Sequence, residues 1–253
     1  MSQKIRVIPT LLYTDTQLVK GKGFDSWRRV GAPMQFVKVY NMREVDELIF
    51  LDILATKQHR STDFGLIDEL ADECFMPLTV GGGIRSVEDV RRLLQVGADK
   101  IALNTALYEV PELVTQIADS FGVQCIVASI DAKKTGPNTW EAFSHAGTKP
   151  TGRDPVEVAK DVEKRGAGEI LITSIDHDGM MDGYDIELTR RVSEAVTIPV
   201  IASGGAGSYA DMAAVLRGSK ATAVAAASIY HFTQQTPLEA KRYLQAEGFP
   251  IRL

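Results

Sequence analysis

The chain has 253 residues, a length typical of one large α/β barrel or of two small domains. Its formal net charge of −5 argues against nucleic-acid binding, no apolar run approaches the roughly 18 residues of a membrane span, and the start, MSQKIRVIPT, is too short in apolar residues for a signal peptide. Only two cysteines and four scattered histidines are present, which predicts a cytoplasmic protein without disulfides, metal or other cofactor.

Short segments rich in valine, isoleucine, leucine and alanine recur along the chain and predict strands that are buried on both faces. In chain order they are 5–12, 47–53, 77–82, 100–104, 125–131, 169–176, 199–205 and 222–228. Amphipathic segments between them carry helix signals, such as Ser86 with Asp89 three residues later, and Asp154 before a segment that stops at Gly166. This alternation predicts a single (β/α)8 TIM barrel domain over 1–253.

The chain repeats itself at an offset of 122 residues. Four pairs of matching positions share this offset, namely 47 and 169, 77 and 199, 86 and 208, and 108 and 230. Four matches in register predict two half-barrel repeats of four strand–helix units each. The first and fifth strands match at the smaller offset of 119, which pairs Leu12 with Asp131. The three extra residues are expected in the loop 133–152, where the alternation in TWEAFSH predicts a hairpin.

Glycine-rich turns follow the third strand (VGGGI, 80–84, the first glycine turn) and the seventh strand (SGGAG, 203–207, the second glycine turn). Each is expected to open a helix, where backbone N–H groups can bind an anion. Beside each turn a neighbouring strand should end in small residues that include Thr105 or Ser228. Two such turns in repeat register predict two phosphate sites, and so a small molecule with a phosphate at each end.

Catalytic side chains of a barrel lie at the carboxyl ends of its strands. The polar residues predicted there are Asp52, Asn104, Asp131, Thr173 and Asp178, with Lys20 in the first loop. A carboxylate near a lysine can move protons in a sugar-phosphate ring-opening or ring-closing reaction. Two plainer interpretations stay open: Asp131 as a loop-start acid that caps the next segment, and Asp178 as a turn-forming residue.

Four charged residues, which we call the charged ring, stand at the opposite ends of strands one, two, four and six. They are Arg6, Glu47, Lys100 and Glu169. Around a narrow barrel these charges are expected to pair with one another, either as a structural floor or as a gate. Burying an ion costs several kcal/mol before pairing, and an apolar floor would often serve stability as well, so the ring favours a gate.

The chain resembles, from end to end, the cyclase subunit of imidazole glycerol phosphate synthase of histidine biosynthesis. The segments that carry the resemblance are LVKG (18–21), DELIFLDI (46–53), VGGGI (80–84), GADKIALNT (97–105), SIDAK (129–133), KRGAGEILITSIDHDG (164–179), GYD (183–185), IASGGAG (201–207) and AASIYHF (226–232).

The resemblance implies a glutaminase partner at the bottom face and an ammonia gate formed by the charged ring. It implies that ammonia travels up the barrel to an aminoimidazole carboxamide ribonucleotide with two phosphates. The implied catalytic residues include Lys20 and Asp131. The implied phosphate-binding residues are Gly83, Asn104, Thr105, Gly205, Ala227 and Ser228.

One departure from that family matters for function, because its first catalytic aspartate falls on Leu12. General acid–base catalysis contributes roughly 10²–10⁴-fold, so a leucine there should remove much of the cyclase step. The segments RVIPTLL (6–12) and ECFMP (73–77) resemble a paralogue group that occurs with a glutaminase paralogue and a separate sugar amidotransferase in surface-polysaccharide pathways.

We therefore expect an ammonia-conducting barrel subunit of a glutamine amidotransferase complex, with doubtful cyclase activity of its own. The main alternative is a genuine cyclase with altered acid–base chemistry. Two further alternatives are a scaffold that only activates a glutaminase, and the related two-phosphate isomerase barrel of histidine biosynthesis.

Overall fold

Eight parallel strands close into a barrel in the computed structural model, which describes residues 4–253. The strands of these residues are β1 (Arg6–Thr14), β2 (Gln17–Lys22), β3 (Asp25–Gly31), β4 (Leu48–Asp52), β5 (Leu78–Gly81), β6 (Lys100–Leu103), β7 (Ile126–Gly136), β8 (Thr139–Ser144), β9 (Lys149–Pro150), β10 (Glu169–Ser174), β11 (Val200–Ser203) and β12 (Ala223–Ala226). The barrel order is β1–β4–β5–β6–β7–β10–β11–β12, and β12 pairs with β1 to close it. The predicted (β/α)8 fold is confirmed. The first three residues of the segment judged for a signal peptide lie outside the described residues.

Helices between the barrel strands cover the outside of the barrel. They are α1 (Pro33–Met42), α2 (Phe64–Asp72), α3 (Val87–Gln95), α4 (Ala106–Glu109), α5 (Glu112–Phe121), α6 (Pro155–Arg165), α7 (Ile186–Ala195), α8 (Tyr209–Gly218), α9 (Ser228–Phe232) and α10 (Pro237–Ala246), with a 3₁₀ turn at Val123–Cys125. Within residues 4–253, no helix has both the length and the apolar character that crossing a bilayer requires.

The predicted helix caps are present. The Ser86 hydroxyl accepts the N–H of Asp89 (3.1 Å), and the Asp89 carboxylate accepts the N–H of Ser86 (3.0 Å) in return. Asp154 accepts the N–H of Val156 (2.7 Å) at the start of α6, which ends at Gly166 in the left-handed conformation (φ 102°). These local signals set where the helices begin and end.

The register of the strands confirms the sequence repeat. Leu12 lies beside Leu51 between β1 and β4, and Asp131 lies beside Thr173 between β7 and β10. Because Leu51 and Thr173 are 122 residues apart, Leu12 and Asp131 occupy equivalent places in the two halves. The capping box at the start of α3 also recurs at the start of α8, where Ser208 takes the place of the serine.

Two antiparallel hairpins extend the barrel strands above the barrel. The predicted hairpin is present, since β7 continues past the barrel and pairs with β8. A second hairpin, β2–β3, follows β1 and was not predicted. It places Lys20 in a strand, so the prediction of Lys20 in a loop was wrong. Residues 25–29 of β3 are exposed and lack the apolar alternation that marks a strand.

The barrel interior is layered along its axis. The charged ring lies at the amino ends of the strands, and polar residues lie at the carboxyl ends. An apolar layer lies between them. It consists of Ile8, Ile49, Ala102, Val127, Leu171, Ile201, Ala223 and Ala225.

Candidate active site and charged ring

A cavity at the carboxyl ends of the barrel strands collects the residues singled out in the sequence. Those that line it are Lys20, Asp52, Gly83, Asn104, Thr105, Asp131, Thr173, Asp178, Gly205, Ala227 and Ser228. Side chains of the apolar layer, such as Ala102 and Leu171, also line it. The cavity therefore reaches from the mouth of the barrel down to the apolar layer.

Lys20 and Asp178 form a buried ion pair inside this cavity. The Lys20 ammonium donates to both carboxylate oxygens of Asp178, at 2.7 and 2.6 Å, and Lys20 is only 2% exposed. The backbone N–H of Gly23 also donates to the carbonyl oxygen of Asp178 (2.7 Å). The β2–β3 hairpin is thus fastened to the loop after β10, and Asp178 holds a buried cation in addition to lying in a turn.

Asp131 is the most perturbed carboxyl group of the cavity. Its burial, and then the charge of Asp178, raise the pKa of Asp131 to about 8. Asn104 donates to the carboxyl (3.3 Å) and to the carbonyl oxygens of Ser129 (3.0 Å) and Phe143 (3.1 Å). At neutral pH Asp131 is mostly protonated and can donate a proton. Within the described residues no backbone N–H donates to it, so the capping interpretation is not supported.

The opposite wall of the cavity is apolar. Leu12 and Leu51 are neighbours in register, half-buried, and line the cavity where the other half presents Asp131 and Thr173. The carboxylate of the nearby Asp52 is engaged by other groups. Its carboxylate already accepts two bonds from the Arg60 guanidinium, at 2.6 and 2.9 Å, and accepts backbone N–H groups of the following loop.

Both glycine turns face the cavity with residues in the left-handed region, Gly83 at φ 72° and Gly205 at φ 113°. A Cβ at Gly205 would lie 2.0 Å from the carbonyl oxygen of Gly183, so that turn has room only for glycine. The expectation that each turn opens a helix was wrong. Helices α3 and α8 begin after their own serine caps, each of which accepts one of the helix-start N–H groups. The short helices α4 and α9 begin at the cavity instead.

The hydroxyls beside the two turns differ in availability. The Ser228 hydroxyl is buried and has no hydrogen-bond partner among residues 4–253, so it can serve a ligand. The Thr105 hydroxyl already accepts the N–H of His145 (3.0 Å).

Sequence reasoning missed Phe24 and Trp27, which line the cavity from the β2–β3 hairpin. Neither residue was identified from the sequence, because the β2–β3 hairpin that carries them was not predicted.

The charged ring closes through four ion pairs. Arg6 pairs with Glu47 (2.7 Å) and with Glu169, and Lys100 lies 3.0 Å from each of the same two glutamates. The four side chains are 7–19% exposed. Burial lowers the pKa of Arg6, but the hydrogen bonds and charges of Glu169 and Glu47 outweigh it and hold that pKa above its usual value. The alternation of sign leaves each charge beside two opposite charges.

Fold and cavity together define a (β/α)8-barrel protein with a small-molecule cavity at the carboxyl ends of its strands, the usual place for barrel chemistry. A family model described as "Histidine biosynthesis protein" matches residues 6–236. The chain belongs to this family of histidine biosynthesis proteins.

Proposed function

We propose that this barrel receives ammonia from a glutaminase subunit at its charged ring and supplies it for amidation of a sugar in surface-polysaccharide biosynthesis. One observation carries the proposal. A closed charged ring lies at one end of the barrel, and at the other end an apolar Leu12 stands where the repeat presents the acid Asp131.

The layered interior supports transfer of ammonia along the barrel axis. Three of the eight residues in the apolar layer are alanines, Ala102, Ala223 and Ala225, and their small side chains leave the least obstruction between ring and cavity. An apolar layer favours neutral ammonia over ammonium, because an isolated charge in such surroundings is strongly unfavourable. Ammonia made outside the ring would therefore cross as the neutral molecule.

The apolar wall of the cavity supports a change of chemistry. Ring closure of the cyclase type uses two acids, and here Leu12 replaces one while Asp52 is engaged by Arg60. Loss of one acid–base group lowers a rate by roughly 10²–10⁴-fold. In this proposal the acceptor of the ammonia is bound by a separate sugar amidotransferase.

A genuine cyclase of histidine biosynthesis is the second candidate. It is favoured by the protonated Asp131, the Lys20–Asp178 pair and the two glycine turns, which together form a cavity suited to a ligand with two phosphates. This candidate requires ring closure with Asp131 as the carboxyl group that, among residues 4–253, lines this level of the cavity without an ion pair.

Transfer of labelled ammonia tests the proposal. We would reconstitute the chain with the glutaminase paralogue and the sugar amidotransferase, supply glutamine labelled with ¹⁵N in its amide, and compare Lys100→Met with the wild type. We expect labelled product per glutamate formed to fall about tenfold or more, because the two ring glutamates lose a charged partner. Glutaminase activity should stay normal.

The matched control is Lys160→Met, which removes a lysine from an exposed pair with Glu157 on α6. It should leave transfer unchanged, because exposed pairs contribute little. Unchanged transfer in Lys100→Met would contradict the proposed gate and favour a scaffold that only activates the glutaminase.

A further inference from the structure

A buried ion pair between Lys241 and Asp46 lies next to the charged ring. Lys241 of α10 is 2% exposed, and its ammonium donates to the Asp46 carboxylate (3.0 Å) and to the carbonyl oxygen of Glu44 (2.9 Å). The other carboxylate oxygen of Asp46 accepts the backbone N–H of Val7 (2.9 Å). The pair therefore joins three parts of the chain: the start of β1, the segment before β4, and the last helix.

The residues that Asp46 joins are neighbours of ring members. Val7 follows Arg6, and Asp46 precedes Glu47. The hydrogen-bonded pairing of β1 with β4 starts at Thr10 and Ile49. The same register continued three residues toward the amino ends of both strands brings Val7 beside Asp46. There the Asp46 side chain, in place of a backbone carbonyl, accepts the N–H of Val7. The relative position of Arg6 and Glu47 thus depends on this side chain.

A second aspartate next to a ring member also accepts the N–H of a strand start, but among residues 4–253 it pairs with no lysine. Asp99 precedes Lys100, and its carboxylate accepts the N–H of Leu78 at the start of β5 (2.8 Å). Asp99 is exposed and solvated, whereas Asp46 is largely buried and paired with Lys241. The N–H group at a strand start is satisfied by an aspartate in both places, but only Asp46 is also paired with a buried lysine. Burying a lysine is unfavourable unless it is paired, so Lys241 is expected to serve a purpose beyond that one hydrogen bond.

We infer that Asp46 and Lys241 are positioning residues of the charged ring, which hold Arg6 and Glu47 at pairing distance and couple the ring to helix α10. This inference rests on the proposed function. The pair does not touch ammonia. It acts through the backbone on either side of it, which keeps Arg6 and Glu47 in register with each other.

The sharpest test replaces both charges with apolar groups of similar volume, as Asp46→Leu/Lys241→Met. Such a replacement is often neutral for stability, because it removes the desolvation penalty of both ions together with their attraction. The variant is tested in the glutaminase complex described above. Here, however, the N–H of buried Val7 and the carbonyl oxygen of Glu44 also lose their partners, so the variant should unfold at a somewhat lower temperature. We expect normal glutaminase activity, with labelled product per glutamate formed reduced about tenfold, the usual effect of losing a hydrogen bond to a charged group.

Leu244→Ala is the matched control, because Leu244 lies on the same helix, is fully buried, and packs against the core beside β1. It should lower the unfolding temperature and leave transfer unchanged. A folded double variant that transfers ammonia like the wild type, beside a defective Lys100→Met, would overturn the positioning role alone. Normal transfer in both variants would overturn the proposed gate and this inference with it.

Discussion

Asp131→Asn is expected to stabilise the unliganded protein at neutral pH. Burial and the Asp178 charge raise the pKa of Asp131 from an ordinary 3.8 to about 8. Between these values the folded state binds a proton that the unfolded chain does not. Stability of the wild type therefore falls as pH rises through this window and levels off above pH 8. At pH 7 the difference costs the fold roughly 4 kcal/mol, at about 1.4 kcal/mol per pH unit.

Urea denaturation of wild type and variant at pH 5, 6, 7 and 8 measures this effect. The amide has nearly the same shape as the carboxyl and can still accept from Asn104, so the variant should be more stable by roughly 4 kcal/mol at pH 7 and by roughly 2 kcal/mol at pH 5. Burial and the charge of Lys20 lower the pKa of His231 to about 4, which weakens the fold as pH falls below 6.5. That effect is common to both proteins and cancels in the difference.

A variant less stable than the wild type at pH 7, or a difference that is constant from pH 5 to pH 8, would refute the reasoning. Asp178→Asn is the control with the opposite sign. It leaves the ammonium of Lys20, which is 2% exposed, without its counter-ion. Breaking a buried pair in this way should cost roughly 3–5 kcal/mol.

Three further changes probe the cavity. Leu12→Asp restores an acid opposite Asp131 and should raise ring closure with ammonium salts by roughly 10²-fold or more; no rise in a variant that still binds the two-phosphate ligand would mean that other parts of the cavity have changed. Gly205→Ala should abolish binding of the two-phosphate ligand in calorimetry, because its Cβ would lie 2.0 Å from the Gly183 oxygen, whereas Gly65→Ala on α2, whose Cβ would meet nothing closer than 3.6 Å, should bind normally. Ser228→Ala should leave stability unchanged, since its hydroxyl has no partner among the described residues, and should weaken that binding about tenfold; unchanged affinity would remove Ser228 from the phosphate site.

The strands and the repeat could be predicted because their signals are local. Apolar segments, helix caps and glycine turns each lie within a few residues, and the offset of 122 between matching segments fixed the two halves. The pairing of Leu12 with Asp131 rested on the smaller offset of 119 between the first and fifth strands, and the strand register confirms it.

The β2–β3 hairpin could not be predicted from periodicity. Its outer strand carries the exposed sequence DSWRR, which has polar residues on both faces, and its turn residues Gly23 and Phe24 both adopt positive φ. The helix starts were misplaced for a different reason. The caps Ser86 and Ser208 lie only three residues after Gly83 and Gly205, so the glycine turn and the helix start were read as one feature although they are separate.

The pairs that give the cavity and the ring their chemistry depend on distant contacts. Lys20 meets Asp178 across 158 residues of chain, and Lys241 meets Asp46 across 195. The sequence placed Lys20 and Asp178 at the same end of the barrel and gave no position for Lys241, and only the closed barrel shows which groups meet. The engagement of the Asp52 carboxylate by Arg60 is likewise visible only in the structure.

A ring-closure assay with free ammonia tests most directly whether the barrel itself catalyses ring closure. The purified protein would be incubated with the two-phosphate aminoimidazole intermediate and an ammonium salt, with binding measured in parallel. We predict that the intermediate binds but turns over roughly 10²–10⁴-fold more slowly than with a genuine cyclase, because Leu12 stands where the other half of the barrel presents the acid Asp131. Turnover at the rate of a genuine cyclase would contradict the proposal and assign the chain to ring closure in histidine biosynthesis.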